Sequence, residues 1–237
     1  MRKAVFFDID GTLWDDDQRI SESAVQAVRA LRAAGNYAFL CSGRSRANIC
    51  NERLLGIGFD GIVASCGTDI DFRGEIVFER LMPEEEVSHA LAVIERMHMM
   101  AVLEGPRYIY VDLNDFKDDP YVIGLRRDIG ERVKEITGCR SFEINKFSLD
   151  LKGNRMEEVV QAFGSRFDVI IHNDWLAEVG PKGLSKATGI MRVCEKLGIA
   201  RENTYAFGDS ANDLAMLSYV AHGVAMGNGS SEAKRAA

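Results

Sequence analysis

Two aspartates, Asp8 and Asp10, stand two residues apart at the end of an apolar run, in Ala4-Val5-Phe6-Phe7-Asp8-Ile9-Asp10-Gly11-Thr12. Four successive apolar residues without polar alternation predict a buried, parallel strand. Carboxylates at the C-terminal edge of such a strand lie where open α/β sheets place their ligands. The two repel each other unless a cation or a shared proton intervenes. A strand cap with an Asx turn accounts for a single Asp before Gly. A pair at this spacing also suits magnesium, which is held by one or two carboxylates plus substrate phosphate.

Three further clusters carry polar groups suited to chemistry. Ser42-Gly43-Arg44 follows a second apolar run, and its hydroxyl and backbone N–H groups at a helix entrance suit a phosphate oxygen. Ser-Gly is also an ordinary loop dipeptide. Lys186 sits in the first turn of a helix, in Lys182-Gly183-Leu184-Ser185-Lys186. A cation there opposes the helix dipole by ~0.3–1 kcal/mol unless an anion is bound at that terminus; a plain exposed lysine is the alternative. The segment lacks the spacing of a Walker A loop. Gly208-Asp209-Ser210-Ala211-Asn212-Asp213 offers two carboxylates and an amide, oxygen ligands and outer acceptors for a hard cation.

The elements that position these clusters follow from periodicity and punctuation. Ser21 or Ser23 caps a helix carrying Val25, Val28 and Leu31, closed by Gly35. Strands at Tyr37–Cys41 and 61–64, with a helix around Ala47 to Leu55 between them, complete a strand–helix–strand–helix–strand series, the pattern of a parallel sheet. Residues 68–78 alternate around Arg73-Gly74, a hairpin. Met82-Pro83-Glu84-Glu85-Glu86 opens a helix with proline and acids in its first turn. Short strands then appear at 100–103, 108–111, 147–151, 169–172 and 176–179, with helices over 121–136 and 155–163. This mixed order predicts an antiparallel sheet with helices on one face, a second α+β domain. Pro83 and Pro181 bracket it as hinge-like joints. The first pattern resumes with a helix over 185–197, a strand at 204–207, a short helix over 212–217 and a strand at 223–226. The domains are therefore 1–82 with 183–237, interrupted by 83–182. The polar stretch Trp14 to Ile20 reads as a loop.

Composition narrows the class. Of 237 residues, 46% are hydrophobic and 27% charged, ordinary for a globular protein. A formal net charge of −7 argues against a nucleic-acid partner, which needs a basic face. Asp8 cuts the N-terminal apolar run too short for a signal peptide, and no stretch approaches a membrane span. Cys41, Cys50, Cys66, Cys139 and Cys194 form no CxxC pair, which suits reduced thiols in the cytoplasm. His89, His98, His172 and His222 lack ligand spacing. Met97, Met99 and Met100 read as packing, and Arg107, Arg126, Arg127 and Arg155 as solvated surface.

Together, Asp8-x-Asp10-Gly11-Thr12, Ser42, Lys186 and Gly208-Asp209-x-x-Asn212-Asp213 resemble the haloacid dehalogenase-like phosphatase superfamily. The inserted domain is similar to the α/β cap of its Cof-type (class IIB) sugar phosphatases. The resemblance runs through essentially the whole chain. It implies a doubly wound, Rossmann-like, mostly parallel α/β core with an inserted α+β cap that opens and closes. It further implies a phosphatase acting on small phosphomonoesters such as sugar phosphates, with Mg2+ as cofactor; a monomer or weak homodimer is expected, the oligomeric state being otherwise open. On that resemblance Asp8 is the nucleophile that forms an aspartyl-phosphate, and Asp10 the general acid and base. Mg2+ is held by the Asp8 carboxylate, the Asp10 backbone carbonyl and Asp209. Ser42, Gly43 and Lys186 take the phosphoryl oxygens. Asn212 contacts substrate or phosphate, and Asp213 orients Lys186 or a metal-bound water. Two rivals share the motifs: a phosphosugar mutase, and a catalytically silent phosphometabolite binder, against which the intact acid/base speaks. The chain departs from the family at Ser65-Cys66-Gly67, where relatives often carry Asn-Gly, and it stops inside an expected helix at Lys234-Arg235-Ala236-Ala237, where relatives continue.

Overall fold

A computed structural model describes residues 1–15, 17–151 and 155–237. Asp16, in the polar stretch read as a loop, lies outside the described residues. Strand β1 (Ala4–Phe7) is followed by helix α1 (Glu22–Ala33), whose start is fixed by Ser21. The Ser21 hydroxyl accepts the Ala24 N–H at 3.2 Å and so satisfies one donor that the helix cannot. Next come β2 (Tyr37–Cys41), α2 (Glu52–Leu55), β3 (Gly61–Ala64) and the antiparallel pair β4 (Asp69–Phe72) and β5 (Glu75–Glu79). The helix expected around Ala47 to Leu55 is instead a 3-10 turn, Arg46–Asn48, and the four residues of α2. Asn51 is the reason: its extended backbone breaks the run, and its side chain accepts the Arg53 and Leu54 N–H groups to start a fresh helix.

The chain continues through α3 (Glu84–Met97), β6 (Ala101–Glu104), β7 (Ile109–Val111), α4 (Pro120–Ile129), β8 (Val133–Glu135), β9 (Lys146–Asp150), α5 (Met156–Phe163), β10 (Phe167–Asn173) and β11 (Leu176–Pro181). The helix expected over 121–136 stops at Ile129, because Gly130 turns to φ +53° and β8 pairs in parallel with β7. A β-branched valine with a strand partner wins over helical continuation. The last elements are α6 (Lys186–Leu197), β12 (Thr204–Gly208), α7 (Leu214–Tyr219), β13 (His222–Ala225) and α8 (Ser231–Ala236).

The residues form two compact units. One comprises Met1–Arg44, Asn51–Glu79 and Leu184–Ala237; the other Ser45–Cys50 and Arg80–Gly183. Ser45–Cys50, assigned to the first domain by sequence, thus groups with the second. The first unit holds a seven-stranded sheet in the order β13-β12-β1-β2-β3-β4-β5, parallel from β13 to β3 and antiparallel beyond. This is the mostly parallel, Rossmann-like sheet expected. β1 lies inside it, which explains its unbroken apolar run; Phe6 stacks on Phe39 with ring centroids 5.1 Å apart.

The second unit holds a six-stranded sheet, β10-β11-β9-β6-β7-β8, antiparallel apart from the β7–β8 pair. Its helices are not confined to one face. Leu103 packs with Val93 of α3 and Phe163 of α5, whereas its neighbour Val102 packs with Val122 and Leu125 of α4. Successive strand residues point to opposite faces, so α4 covers the other side. Arg107, Arg127 and Arg155 pair with Glu143, Asp128 and Glu158. Among the described residues no helix is long and apolar enough to cross a membrane.

Buried Asp60 ties α1, β2 and the β4–β5 turn together. Its carboxylate accepts Arg32 Nε at 3.0 Å, Arg32 Nη2 at 3.1 Å and the Ala38 N–H at 3.1 Å, with Arg73 at 3.6 Å. Burial pushes this carboxyl up, but the Arg32 fork and the Ala38 N–H outweigh it and hold Asp60 below the ordinary aspartate value. The unfolded chain therefore binds the proton first on acidification. The stabilisation is complete above about pH 4 and is lost as the pH falls through the lowered value. Asp60→Asn is expected to cost about 1–3 kcal/mol at pH 7 and to flatten the loss of stability below pH 4. Urea unfolding of both proteins across that range checks this; equal pH slopes would contradict it.

Candidate active site

The sheet order assembles the site. β1 lies between β12 and β2, all parallel, with Phe7 level with Phe207 and Leu40. The residues just beyond these three strands, Asp8, Asp209 and Ser42, therefore share one edge of the sheet. The Asp8 N–H donates to the Phe207 carbonyl at 3.0 Å, and the Ser42 N–H to the Val63 carbonyl at 2.8 Å. Past Asp8 the chain winds round the Ile9 carbonyl, which accepts N–H groups from Thr12, Leu13 and Trp14 at 3.0–3.3 Å. Gly11 in this turn has φ +77°, and a Cβ there would stand 2.6 Å from Asp209 Oδ2. Glycine leaves the Asp209 carboxylate its room. Thr12 Oγ1 then donates to Asp209 Oδ1 at 2.7 Å, and Asn228 Nδ2 to the Gly11 carbonyl at 2.9 Å.

Lys186 is fully buried, so the exposed-lysine alternative does not apply. It enters through a capping box: the Thr188 N–H donates to Ser185 Oγ at 3.3 Å and the Ser185 N–H to Thr188 Oγ1 at 2.9 Å. Gly67, at φ +86°, packs against this start; a Cβ would lie 2.3 Å from the Ser185 carbonyl. The Lys186 ammonium donates to Asp8 Oδ1 at 2.5 Å and to Asp213 Oδ1 at 2.6 Å. Asp213 Oδ2 in turn accepts the N–H groups of Asp209 and Ser210 at 2.8 and 3.0 Å. Burial disfavours the charged amine, but Asp213 and Asp8 more than offset this and raise Lys186 well above the usual lysine value. Burial drives the Asp8 carboxyl well up from the ordinary range; Lys186 opposes the rise, while Asp213 and Asp10 add to it.

Oxygens of Asp8, Asp209 and Asp213 all lie within 4.8 Å of one another. Three carboxylates gathered round one ammonium leave negative charge in excess, and an all-oxygen donor set fits a hard cation such as Mg2+. Sequence reasoning named Asp8, Asp209 and the Asp10 carbonyl for that ion. The cluster of side chains includes Asp213 instead of Asp10, although both Asp213 oxygens also serve Lys186 and backbone N–H groups.

The Asp10 side chain faces other partners. Arg44 Nε donates to its Oδ2 at 2.7 Å, Arg44 Nη2 to its Oδ1 at 2.7 Å, and Trp14 Nε1 to Oδ1 at 3.0 Å. The protein packed beside this half-exposed carboxyl disfavours its charge, but the Arg44 and Trp14 bonds outweigh that and hold Asp10 below the ordinary value. Buried Ser42 accepts the Arg44 N–H on its Oγ at 3.1 Å beside the buried Gly43, and Asn212 Oδ1 accepts the Ser210 hydroxyl at 3.1 Å. Cys66 occupies the left-handed region at φ +50°, which asparagine tolerates well. Its N–H donates to the Ser42 carbonyl at 3.1 Å and that of Ser65 to the Arg44 carbonyl at 2.8 Å, so the departing turn braces the Ser42–Arg44 segment through its backbone. Thr12, Trp14, Arg44 and Asn228 escaped sequence reasoning as site residues. The available signal was proximity: Thr12 and Trp14 share the turn of Asp10, and Arg44 follows Ser42-Gly43 directly.

Removing the ammonium leaves buried carboxylates unpaired, a loss of about 3–5 kcal/mol for such pairs. Lys186→Met is expected to lower unfolding free energy by about that amount at pH 8 in EDTA, and by less at pH 5.5, where the orphaned carboxylates take up protons. Denaturant unfolding at the two pH values checks this; a loss under about 1 kcal/mol at both would show that the pairing does not hold the site.

The chain matches the family of haloacid dehalogenase-like hydrolases over residues 5–237. It is 31% identical to the putative phosphatase YkrA of Bacillus subtilis, over 99% of this chain and 90% of that protein. Identity to the 5-amino-6-(5-phospho-D-ribitylamino)uracil phosphatase YitU of the same organism is 27%, over 98% and 89% of the two chains. Among solved structures, the HAD subclass IIB sugar phosphatase BT4131 superposes with a TM-score of 0.85 at 28% identity, covering 99% of this chain and 91% of that one. A match through the full run of the core and its insert, on the fold and carboxylate cluster described above, leaves one assignment: the chain belongs to the haloacid dehalogenase-like hydrolases.

Proposed function

We propose that this haloacid dehalogenase-like phosphatase is an Mg2+-dependent phosphomonoester hydrolase that works through an aspartyl-phosphate on Asp8, with sugar phosphates or similar phosphorylated polyols as substrates. The observation that carries the reading is the buried Asp8 carboxylate, held by Lys186 beside two further carboxylates at the C-terminal edge of the sheet. The Lys186 contact favours the anionic form of Asp8 that nucleophilic attack requires. An Asp8 oxygen attacks phosphorus, the bond to the leaving oxygen breaks, and that oxygen takes the proton of Asp10, which must enter this step in its acid form although Arg44 and Trp14 favour its anion. Water then attacks the aspartyl-phosphate, Asp10 takes up its proton, and phosphate departs with Asp8 restored. Ser42, Gly43 and Lys186 surround the phosphoryl oxygens, Asn212 contacts the substrate side, and Asp213 keeps Lys186 in line. Asp8, Asp209 and the Asp10 carbonyl would hold Mg2+, which would supply neutralisation of the negative charge of nucleophile and phosphate.

The substrate class rests on the relatives: YitU is named for a phosphorylated ribityl compound and BT4131 as a sugar phosphatase, both phosphate esters of polyhydroxylated carbon chains. A cytoplasmic location agrees with the five free cysteines.

The test is phosphate release from a panel of sugar phosphates, nucleotides and pyridoxal phosphate. Wild type is expected to turn over with Mg2+ and stop in EDTA, with Asp8→Asn inactive and Asp10→Asn slowed by about 10²–10⁴-fold. Turnover that survives EDTA or Asp8→Asn would overturn the reading. Phosphate transfer within a sugar bisphosphate, with no net release, would replace it by the mutase.

A further inference from the structure

We propose that Arg44 is the positioning residue of the acid/base, acting with Trp14 to hold the Asp10 carboxylate in one orientation; this rests on the hydrolase reading above. The geometry is that of a built clamp. Arg44 approaches both oxygens of Asp10 through Nε and Nη2 at 2.7 Å each, the parallel two-bond fork that only a guanidinium presents to a carboxylate. Trp14 Nε1 adds a third bond at 3.0 Å. The guanidinium carbon in turn lies 5.1 Å from the centre of the Trp14 ring, so the two holders also hold each other.

Each member of the clamp is fixed from behind. The Arg44 N–H donates to Ser42 Oγ at 3.1 Å, and the Arg44 carbonyl accepts the Ser65 N–H at 2.8 Å. The Trp14 N–H donates to the Ile9 carbonyl at 3.2 Å, and the Trp14 ring is itself buried. The Asp10 side chain, by contrast, is half exposed, with 53% of its surface open, while that of Arg44 keeps 21%. A carboxylate this open has rotamer freedom that its own surroundings do not remove. Three directed bonds from two braced side chains remove it. Proton exchange with a leaving oxygen or a water depends on heavy-atom geometry of about 2.6–3.2 Å, so orientation of this one carboxylate bears on turnover without bearing on phosphate binding.

The experiment compares full-length wild type, Arg44→Ala, Arg44→Lys, Trp14→Phe and Asp10→Asn with Mg2+ on two substrates, an alkyl sugar phosphate and 4-nitrophenyl phosphate. The second leaves as a phenolate that needs little protonation. In a single turnover, read at the step that releases the leaving group before water attacks, Arg44→Ala is expected to slow the alkyl ester by about 10²-fold and the aryl ester by under about 10-fold, with KM nearly unchanged. Arg44→Lys and Trp14→Phe fall between, and added guanidinium ion partly restores Arg44→Ala. Equal losses on both esters, or a loss confined to KM, would overturn the proposal in favour of phosphoryl binding or plain scaffolding. Asp10→Asn separates the two levels: if it spares alkyl turnover, the acid/base role of Asp10 in the hydrolase reading fails and this proposal with it; if it shows the leaving-group split and Arg44→Ala does not, only the Arg44 proposal fails. A readout free of turnover uses a Trp175→Phe background, in which Trp14 is the sole tryptophan. Arg44→Ala is expected to shift its emission with the fold intact, and unchanged emission would overturn the stacked clamp.

Discussion

The site depends on one buried ammonium. Lys186 has no exposure and touches two carboxylates at 2.5 and 2.6 Å, one from the end of β1 and one from the turn after β12. A charge taken out of water to this extent is tolerated only when paired and hydrogen-bonded. The pairing therefore ties the first turn of α6, started by the Ser185–Thr188 capping box, to the ends of β1 and β12 and holds the Asp8 oxygens there. Asp213 extends the constraint: its second oxygen binds the Asp209 and Ser210 N–H groups, so the backbone that carries Asp209 is set by the acceptor that neutralises Lys186.

Two aspartates separated by one residue thus live in different electrostatic surroundings. Asp8 is buried, pushed up by desolvation and restrained by a lysine; Asp10 is half exposed and held down by a guanidinium fork and an indole. The tight turn about the Ile9 carbonyl separates them, since an extended chain would point both to one side. Unlike environments are what allow like residues unlike roles. A divalent cation at the Asp8 and Asp209 carboxylates would oppose the desolvation of Asp8 and favour its anionic form.

Local pattern was a sound guide wherever apolar period and caps agreed, as at β1, β2, the β4–β5 hairpin, α3 and α6. It misled over 46–55, where Asn51 offers the backbone a competing cap, and over 121–136, where Gly130 and a strand partner interrupt a helical run. In the second unit, short strands revealed the sheet but not its two-sided cover, because the face a helix takes is a matter of packing between elements.

The chemical inventory is legible in the order of residues alone: an aspartate pair after a buried strand, a serine after the next, a lysine opening a helix and an acidic cluster after a later strand. Each is encoded within a few residues, by hydrophobic period and turn chemistry. The burial of Lys186, its second partner Asp213, and the pairing of Asp10 with Arg44 and Trp14 come instead from the folded arrangement. The Lys186–Asp8 contact spans 178 positions in sequence and the Arg44–Asp10 contact 34. Such partners are chosen by the order of strands in the sheet, which local residue preferences do not specify.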